Sequence, residues 1–429
     1  MVYGQDNYEI LFKRGETFNT STGMRINGSN VVVGAYGSGN RPRLNYNGSS
    51  GGYPNLFSTS GGNTITIRDL SMTSTHDALQ AVSATGDNVS VIGNEFLDVN
   101  YAVNANQEPS GLLVQDNTAP LKDTLNYFAW VQGSDQVYLG NTVANVYSHV
   151  IRIGDADRVM IAHNNLSNPN EGGTTRGTLT IHQGSYVYAA NNTLSGGKVT
   201  IGPLGEGDGL DDKGARYSWG VFENNTINSI MIVEHGAERI MIRNNVHRIN
   251  GTFAIQVEGY NSSYGRGVRD VTIANNTGIN TSDKGSFLQV AKGGVAGIKL
   301  VNNLYVASNL KTGTTGAAPV FVYDSDLSSF TTITNNVWEN PAMDFYADGG
   351  INYVFDFWSD RNGYRTPSEW NNMSGVGTDY FSDTSISSSY APSSSSTAAN
   401  AGTQFAGVFT DRNGKIRGSG SWSAGAVEV

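Results

Sequence analysis

Short β-branched runs that close on asparagine recur along most of this chain, and they leave it few ways to fold. Val159-Met160-Ile161-Ala162-His163-Asn164-Asn165 is followed by Tyr186-Val187-Tyr188-Ala189-Ala190-Asn191-Asn192, and the ending returns at Asn224-Asn225, Asn244-Asn245, Asn275-Asn276, Asn302-Asn303 and Asn335-Asn336. Upstream, runs beginning at Val89 and Val137 close on Asn94 and Asn141. From Asn225 to Asn245 the step is 20 residues and from Asn303 to Asn336 it is 33, a range that belongs to solenoid repeats. Asparagine tolerates the left-handed backbone of a tight corner, and stacked amides can bond their neighbours above and below. The asparagines therefore read as structural. A solenoid grows in one dimension, so 429 residues need no second core.

Between these runs lies a second strand type: Trp130-Val131-Gln132, Arg152-Ile153-Gly154, Thr180-Ile181-His182, Thr200-Ile201-Gly202, Ile232-Val233-Glu234, Gln256-Val257-Glu258, Gln289-Val290-Ala291 and Val322-Tyr323-Asp324. Side chains alternate across a strand. The middle residue of each triplet is then inward, and its flanks form two outward columns that collect Trp130, Gln132, Arg152, His182, Glu234, Gln256 and Glu258. Glu234 and Glu258 fall one above the other, about 4.8 Å apart in stacked strands. Two carboxylates so placed repel unless a cation, a proton or catalytic work accounts for them. The competing reading is an ordinary exposed ladder of mixed charges.

Most corners after this strand are short, but Pro203 to Ser218 and Tyr260 to Arg269 swell into loops on either side of the rung carrying Glu234 and His235. Long loops on a rigid scaffold are where binding residues concentrate. The first carries Asp208, Asp211, Asp212 and Lys213; the second carries Tyr260, Tyr264 and Arg266.

The totals narrow the partners. Lys plus Arg is 27 against 37 Asp plus Glu, a formal charge of −10, which disfavours nucleic acid and anionic membranes. There are 0 cysteines, which removes disulfides and thiolate metal sites. No apolar run is long enough to span a bilayer, and the first residues carry no secretory leader. The abrupt start leads us to expect that a leader was removed from a secreted, cell-surface or periplasmic bacterial-type protein.

Two early phrases, Ile10-Leu11-Phe12-Lys13-Arg14-Gly15-Glu16-Thr17-Phe18 and Val31 to Leu44, resemble the opening rungs of bacterial right-handed parallel β-helix proteins of the pectate-lyase-like superfamily. The stretch from Ser396 to Val429 resembles the closing segment of the same proteins. The resemblance implies an all-β, right-handed parallel β-helix with rungs over 1–340, then final irregular rungs and a C-terminal cap over 341–429. It covers nearly the whole chain at the level of fold; the superfamily's stronger catalytic signatures, such as the Asp-Pro-His motif of mannuronan epimerases, are absent.

That resemblance implies a polymeric sugar as partner, a monomer, and no organic cofactor. The leading expectation is a lyase that cleaves a uronic-acid polymer bound along the groove by β-elimination, which needs a base and a neutralised carboxylate. His182, Arg152, Lys213 or Arg266 would supply base and charge, and Tyr260 or Tyr264 an acid. Asp208, Asp211 and Asp212, with Glu234 and Glu258, could hold Ca²⁺ as a hard oxygen site. A glycoside hydrolase would instead use Glu234 with Glu258, or either with a loop aspartate. A non-catalytic carbohydrate-binding or adhesin-like β-helix would leave the carboxylates idle. Trp130, Gln132, His235, Gln256, Tyr260, Tyr264 and Arg266 are the expected substrate contacts.

Overall fold

A computed structural model describes residues 5–49, 51–120, 125–167, 177–203, 217–250, 253–259, 267–283, 285–291, 294–307, 319–323, 327–339, 355–357, 367–372 and 376–429. The chain divides into two units: 1–188 with 192–199, and 189–191 with 200–429. Each is a right-handed coil of parallel strands, three to a turn, and each turn has faces one, two and three in chain order.

In unit 1, face one stacks Tyr8–Lys13, Val31–Tyr36, Asn63–Arg68, Asp87–Ile92 and Leu113–Gln115. Face two begins Thr17–Thr20, Arg43–Tyr46, Ser71–Ser74. Face three stacks Asn55–Ser58, Gln80–Ser83, Tyr101–Ala105 and the first half of Tyr127–Leu139, which pairs in turn with His149–Ala162. The alternation sends Val31, Val33, Ile65, Ile67, Val89 and Val91 inward, and all are buried. Burying such β-branched columns contributes on the order of 1.5–3 kcal/mol per side chain, which is where a cysteine-free coil gets its stability.

Unit 2 repeats the plan. Face one runs Tyr217–Glu223, Ala237–Arg243, Arg269–Ala274, Ile298–Val301 and Phe330–Thr334. Face two runs from Thr226–Asn228 to Tyr380–Phe381. Face three stacks Met231–Glu234, Phe253–Glu258, Ser286–Ala291, Val320–Tyr323 and Phe355–Phe357. Val322 pairs with Val290, so the last triplet is Phe321-Val322-Tyr323. The reading that centred it on Tyr323 slips by one residue, which in a strand exchanges inside for outside.

Two consecutive residues divide the work of each asparagine corner. The first takes the left-handed turn, with φ of 58° at Asn224, 55° at Asn244 and 55° at Asn275. The second points inward and builds a ladder: Asn276 Nδ2 donates to Ile242 O (2.9 Å) and Asn303 Oδ1 (3.1 Å), while its Oδ1 accepts from the backbone N and Nδ2 of Asn245, both at 3.0 Å. Unit 1 has the same ladder through Asn94, Asn117, Asn141, Asn164 and Asn192. In unit 2 it ends on an aspartate, Asp379.

The C-terminal segment lies along the side of unit 2. From Ala401 to Arg412 it runs back down the corner between faces one and two, accepting bonds from the outward amides of Asn335, Asn302 and Asn244 at 2.8, 2.7 and 2.8 Å. Arg412 then donates to Asn225 O and Thr226 Oγ1. Ala398, Ala401 and Ala424 pack on Leu304 and Val337, and Val408 and Trp422 on Ala274. The left-handed asparagines thus serve a second purpose, as docking points for this segment.

Candidate active site on face three

Face three of unit 2 carries the paired glutamates. Met231 pairs with Ile255, Val233 with Val257, and Glu234 with Glu258. The inward residues are fully buried, and that fixes the register of the two carboxylates. Gly202 precedes this strand with φ +136°, and a Cβ there would lie 1.9 Å from the Glu234 carbonyl oxygen. Only glycine lets the backbones approach so closely.

Each glutamate has its own neighbour. His235, in the left-handed region at φ 48°, brings Nε2 to 3.2 Å from Glu234 Oε2. Gln256 Nε2 donates to Glu258 Oε2 at 2.9 Å. The side chains of Glu234 and His235 are 20% and 17% exposed, so they are recessed yet reachable.

The outward column next to them is not a solvated ladder. It consists of Ile232, Gln256, Gln289 and Phe321 in register, and Ile232, Gln289 and Phe321 are 6%, 9% and 6% exposed. Phe253 and Phe321 stack at 6.1 Å. Alternation assigned Ile232 to the outside correctly as a direction, but the outside of this face is itself covered.

The remaining described candidates belong to unit 1. Trp130 and Arg152 are register partners, with the guanidinium 5.7 Å over the indole. Tyr101 and Tyr127 stack at 5.1 Å, and Trp130 lies 5.8 and 5.5 Å from them. The Trp130 indole is therefore packed against two tyrosine rings and the Arg152 guanidinium. Gln132 lies at a register shift and packs over Gly154, where a Cβ would be 3.2 Å from its Nε2. His182 is 2% exposed, which keeps its imidazole away from a polymer in this conformation. Lys213, Tyr260, Tyr264, Arg266, Asp208, Asp211 and Asp212 lie outside the described residues. Among the described residues no group of three or more His, Cys, Asp or Glu side chains could hold a metal ion.

Sequence reasoning passed over Tyr101, Tyr127 and His149. His149 stacks on Tyr127 at 5.8 Å; its Nδ1 accepts from Gly177 N at 3.1 Å and lies 3.0 Å from Thr180 Oγ1. An accepting Nδ1 leaves the ring proton on Nε2. Burial pushes the Tyr101 hydroxyl up to about 12. The available signal was spacing: Tyr127 and His149 each precede by three residues the outward Trp130 and Arg152.

No protein-family model matches the sequence, and no curated protein is significantly similar to it. Solved structures do match. The alginate lyase AlyF-OU02 in complex with G6 is 13% identical over 89% of this chain and 91% of its own, at a TM-score of 0.51. PfbA, a surface adhesin of Streptococcus pneumoniae, is 13% identical over 87% of this chain and 91% of its own, at 0.50. What they share with this chain is the fold. The chain spans 59% of the length of a GH136 lacto-N-biosidase from Eubacterium ramulus, at 11% identity and a TM-score of 0.44.

Proposed function

We propose that this protein binds a carbohydrate polymer on the recessed third face of unit 2 and cleaves a glycosidic bond with Glu234 and Glu258. The observation that carries the reading is their register on successive strands, each glutamate held by a different neighbour. A strand spacing of about 4.8 Å approaches the separation of about 5 to 5.5 Å between the two carboxyls of retaining hydrolases. Glu258, steadied by Gln256, attacks the anomeric carbon as Glu234 passes a proton to the departing oxygen. Water then gives its proton to Glu234, and its oxygen displaces Glu258 from the sugar. His235 holds Glu234 in place through both steps. An alginate lyase with the same fold supports the carbohydrate reading by analogy.

The second reading, β-elimination on a uronic-acid polymer, is favoured by His235 against Glu234, a base within reach of a sugar proton. It draws its charge neutralisation from Lys213 or Arg266, or from Ca²⁺ on Asp208, Asp211 and Asp212. A digestion screen over neutral and uronic polymers, with and without chelator, tests both readings. Reducing ends without ultraviolet absorbance mean hydrolysis, and absorbance rising with them means elimination. Silence in both across a broad panel overturns cleavage.

A further inference from the structure

The C-terminal segment of unit 2 holds a pocket of about 570 Å³ that the cleavage chemistry does not use. Its floor is fixed. Trp422 is 4% exposed, donates Nε1–H to Gly418 O at 2.7 Å and lies 5.6 Å from the Arg417 guanidinium. Val408, also in the lining, is anchored on Ala274.

The rim is the opposite. Phe409 and Ile416 are 71% and 77% exposed, more than any other large hydrophobic among the described residues. They stand on a hairpin closed by the antiparallel bridge of Thr410 with Ile416 and by Arg417 N donating to Phe409 O. The hairpin is tethered where Asn244 Nδ2 donates to Thr410 O. Two large apolar side chains held out beside an open, largely apolar hollow offer a surface on which a flat apolar face can rest.

Charge narrows the ligand. Arg417 is almost fully buried and gives its Nη groups to Glu428 at 2.5 Å and to the carbonyls of Ser423 and Gly425. Glu428 balances the cation, so the pocket offers no free charge to a carboxylate or phosphate. Gln404 and Ser419 also line it and are exposed, their amide and hydroxyl free to bond a ligand. An aromatic wall, neutral hydrogen-bonding groups and an open mouth suit a molecule with one apolar face and a rim of hydroxyls. We infer that this pocket binds a neutral sugar, one to a few pyranose units stacked on Phe409, away from face three. The choice of a sugar rests on the carbohydrate reading above; the preference for a neutral one rests on the Arg417–Glu428 pair.

The test uses the full chain carrying Glu234→Gln and Glu258→Gln, so that no ligand is consumed. Neutral gluco-, xylo- and manno-oligosaccharides and uronic oligosaccharides are titrated by calorimetry and saturation-transfer NMR. We expect a neutral oligosaccharide to bind, and Phe409→Ala or Gln404→Ala to weaken it about tenfold with the melting temperature unchanged, as removal of an exposed stacking ring should. Binding indifferent to both substitutions, binding of uronic oligosaccharides alone, or no binding overturns the inference. So does self-association in sedimentation that Phe409→Ala abolishes, since the occupant is then a second copy of this chain. If the wild type cleaves nothing while Phe409-sensitive binding persists, the pocket stands and the cleavage reading falls. Cleavage by the wild type with binding indifferent to Phe409 removes the pocket and leaves the cleavage reading standing.

Discussion

Asp379 Oδ1 accepts hydrogen bonds from both the backbone N and the side-chain Nδ2 of Asn336, at 2.9 and 3.0 Å. It occupies the position that a further asparagine would take, but its other oxygen accepts from the indole nitrogens of Trp338 (3.0 Å) and Trp370 (2.9 Å). Four N–H donors converge on one carboxyl, so an acid closes the ladder. Burial nevertheless pushes Asp379 up to about 6, the donors opposing it. A raised folded pKa means the native state holds its proton more tightly than the unfolded chain. The associated stability is complete below about pH 4 and is lost as pH rises through about 6, on the order of 3 kcal/mol in all. Urea midpoints of wild type and Asp379→Asn between pH 4 and 7 should diverge, with wild type gaining toward acid. Parallel curves would remove Asp379 as the titrating group.

His247 acts in the opposite direction. It is fully buried on face two, neither ring nitrogen has a hydrogen-bond partner, and burial, then the Arg412 charge, lowers it to about 3. The unfolded chain therefore binds its proton first. Stability tied to His247 is complete above about pH 6.5 and falls toward pH 3, by an amount on the order of 5 kcal/mol. His247→Leu removes two unpaired polar atoms from a fully buried site. The variant should unfold at higher urea, with an advantage that widens as pH drops; an advantage that is constant with pH would refute the assignment.

How far the sequence carried depended on how local the cause was. Corner and ladder asparagines are legible because two adjacent residues perform both jobs. Asn117 escaped because its corner residue is Asp116, at φ 53°, which hides the doublet. The path of the C-terminal segment was not legible, since Arg412 finds Asn225 across 187 residues. Alternation gave the pairing of Glu234 with Glu258 but not the burial of Ile232 and Phe321. Period tells which side a residue faces, not what lies over that side. The serine-rich composition of Ser387 to Thr397 reads as a mobile stretch, yet the segment is tied by Ile386 bridging Pro392 and by Ser396 Oγ donating to Ser393 O.

The division of labour at the corners predicts that adjacent asparagines respond differently. Asn276→Ala deprives Asn245 of its acceptor and Asn303 and Ile242 of a donor, at a cost on the order of 2–4 kcal/mol. Asn275→Gly keeps the left-handed corner and loses only the long bonds to Ser423 O (3.5 Å) and from Asn302 Nδ2 (3.3 Å), so it should cost less, on the order of 1–2 kcal/mol. Denaturation midpoints decide it, and equal losses would mean the two positions are not specialised.

Glu234 and Glu258 differ in the variant that should rescue them. Replacing either carboxyl by Gln should lower turnover about 10²- to 10⁴-fold with little change in stability, because both face outward. Alanine at each position opens space for a small anion. With azide, Glu258→Ala should regain activity and give a glycosyl azide of inverted configuration, because azide replaces the nucleophile in a single displacement. Glu234→Ala should give the retained azide, on substrates whose leaving group needs no acid, because Glu258 still forms the glycosyl intermediate and azide then displaces it. His235→Asn tests the positioning role: alone it should lower turnover, and added to either alanine variant it should leave the stereochemistry of that variant's azide product unchanged. Identical azide stereochemistry from both alanine variants would break the assignment of nucleophile and acid. An unsaturated product from wild type would transfer both glutamates to the elimination reading, where neither variant can yield a glycosyl azide.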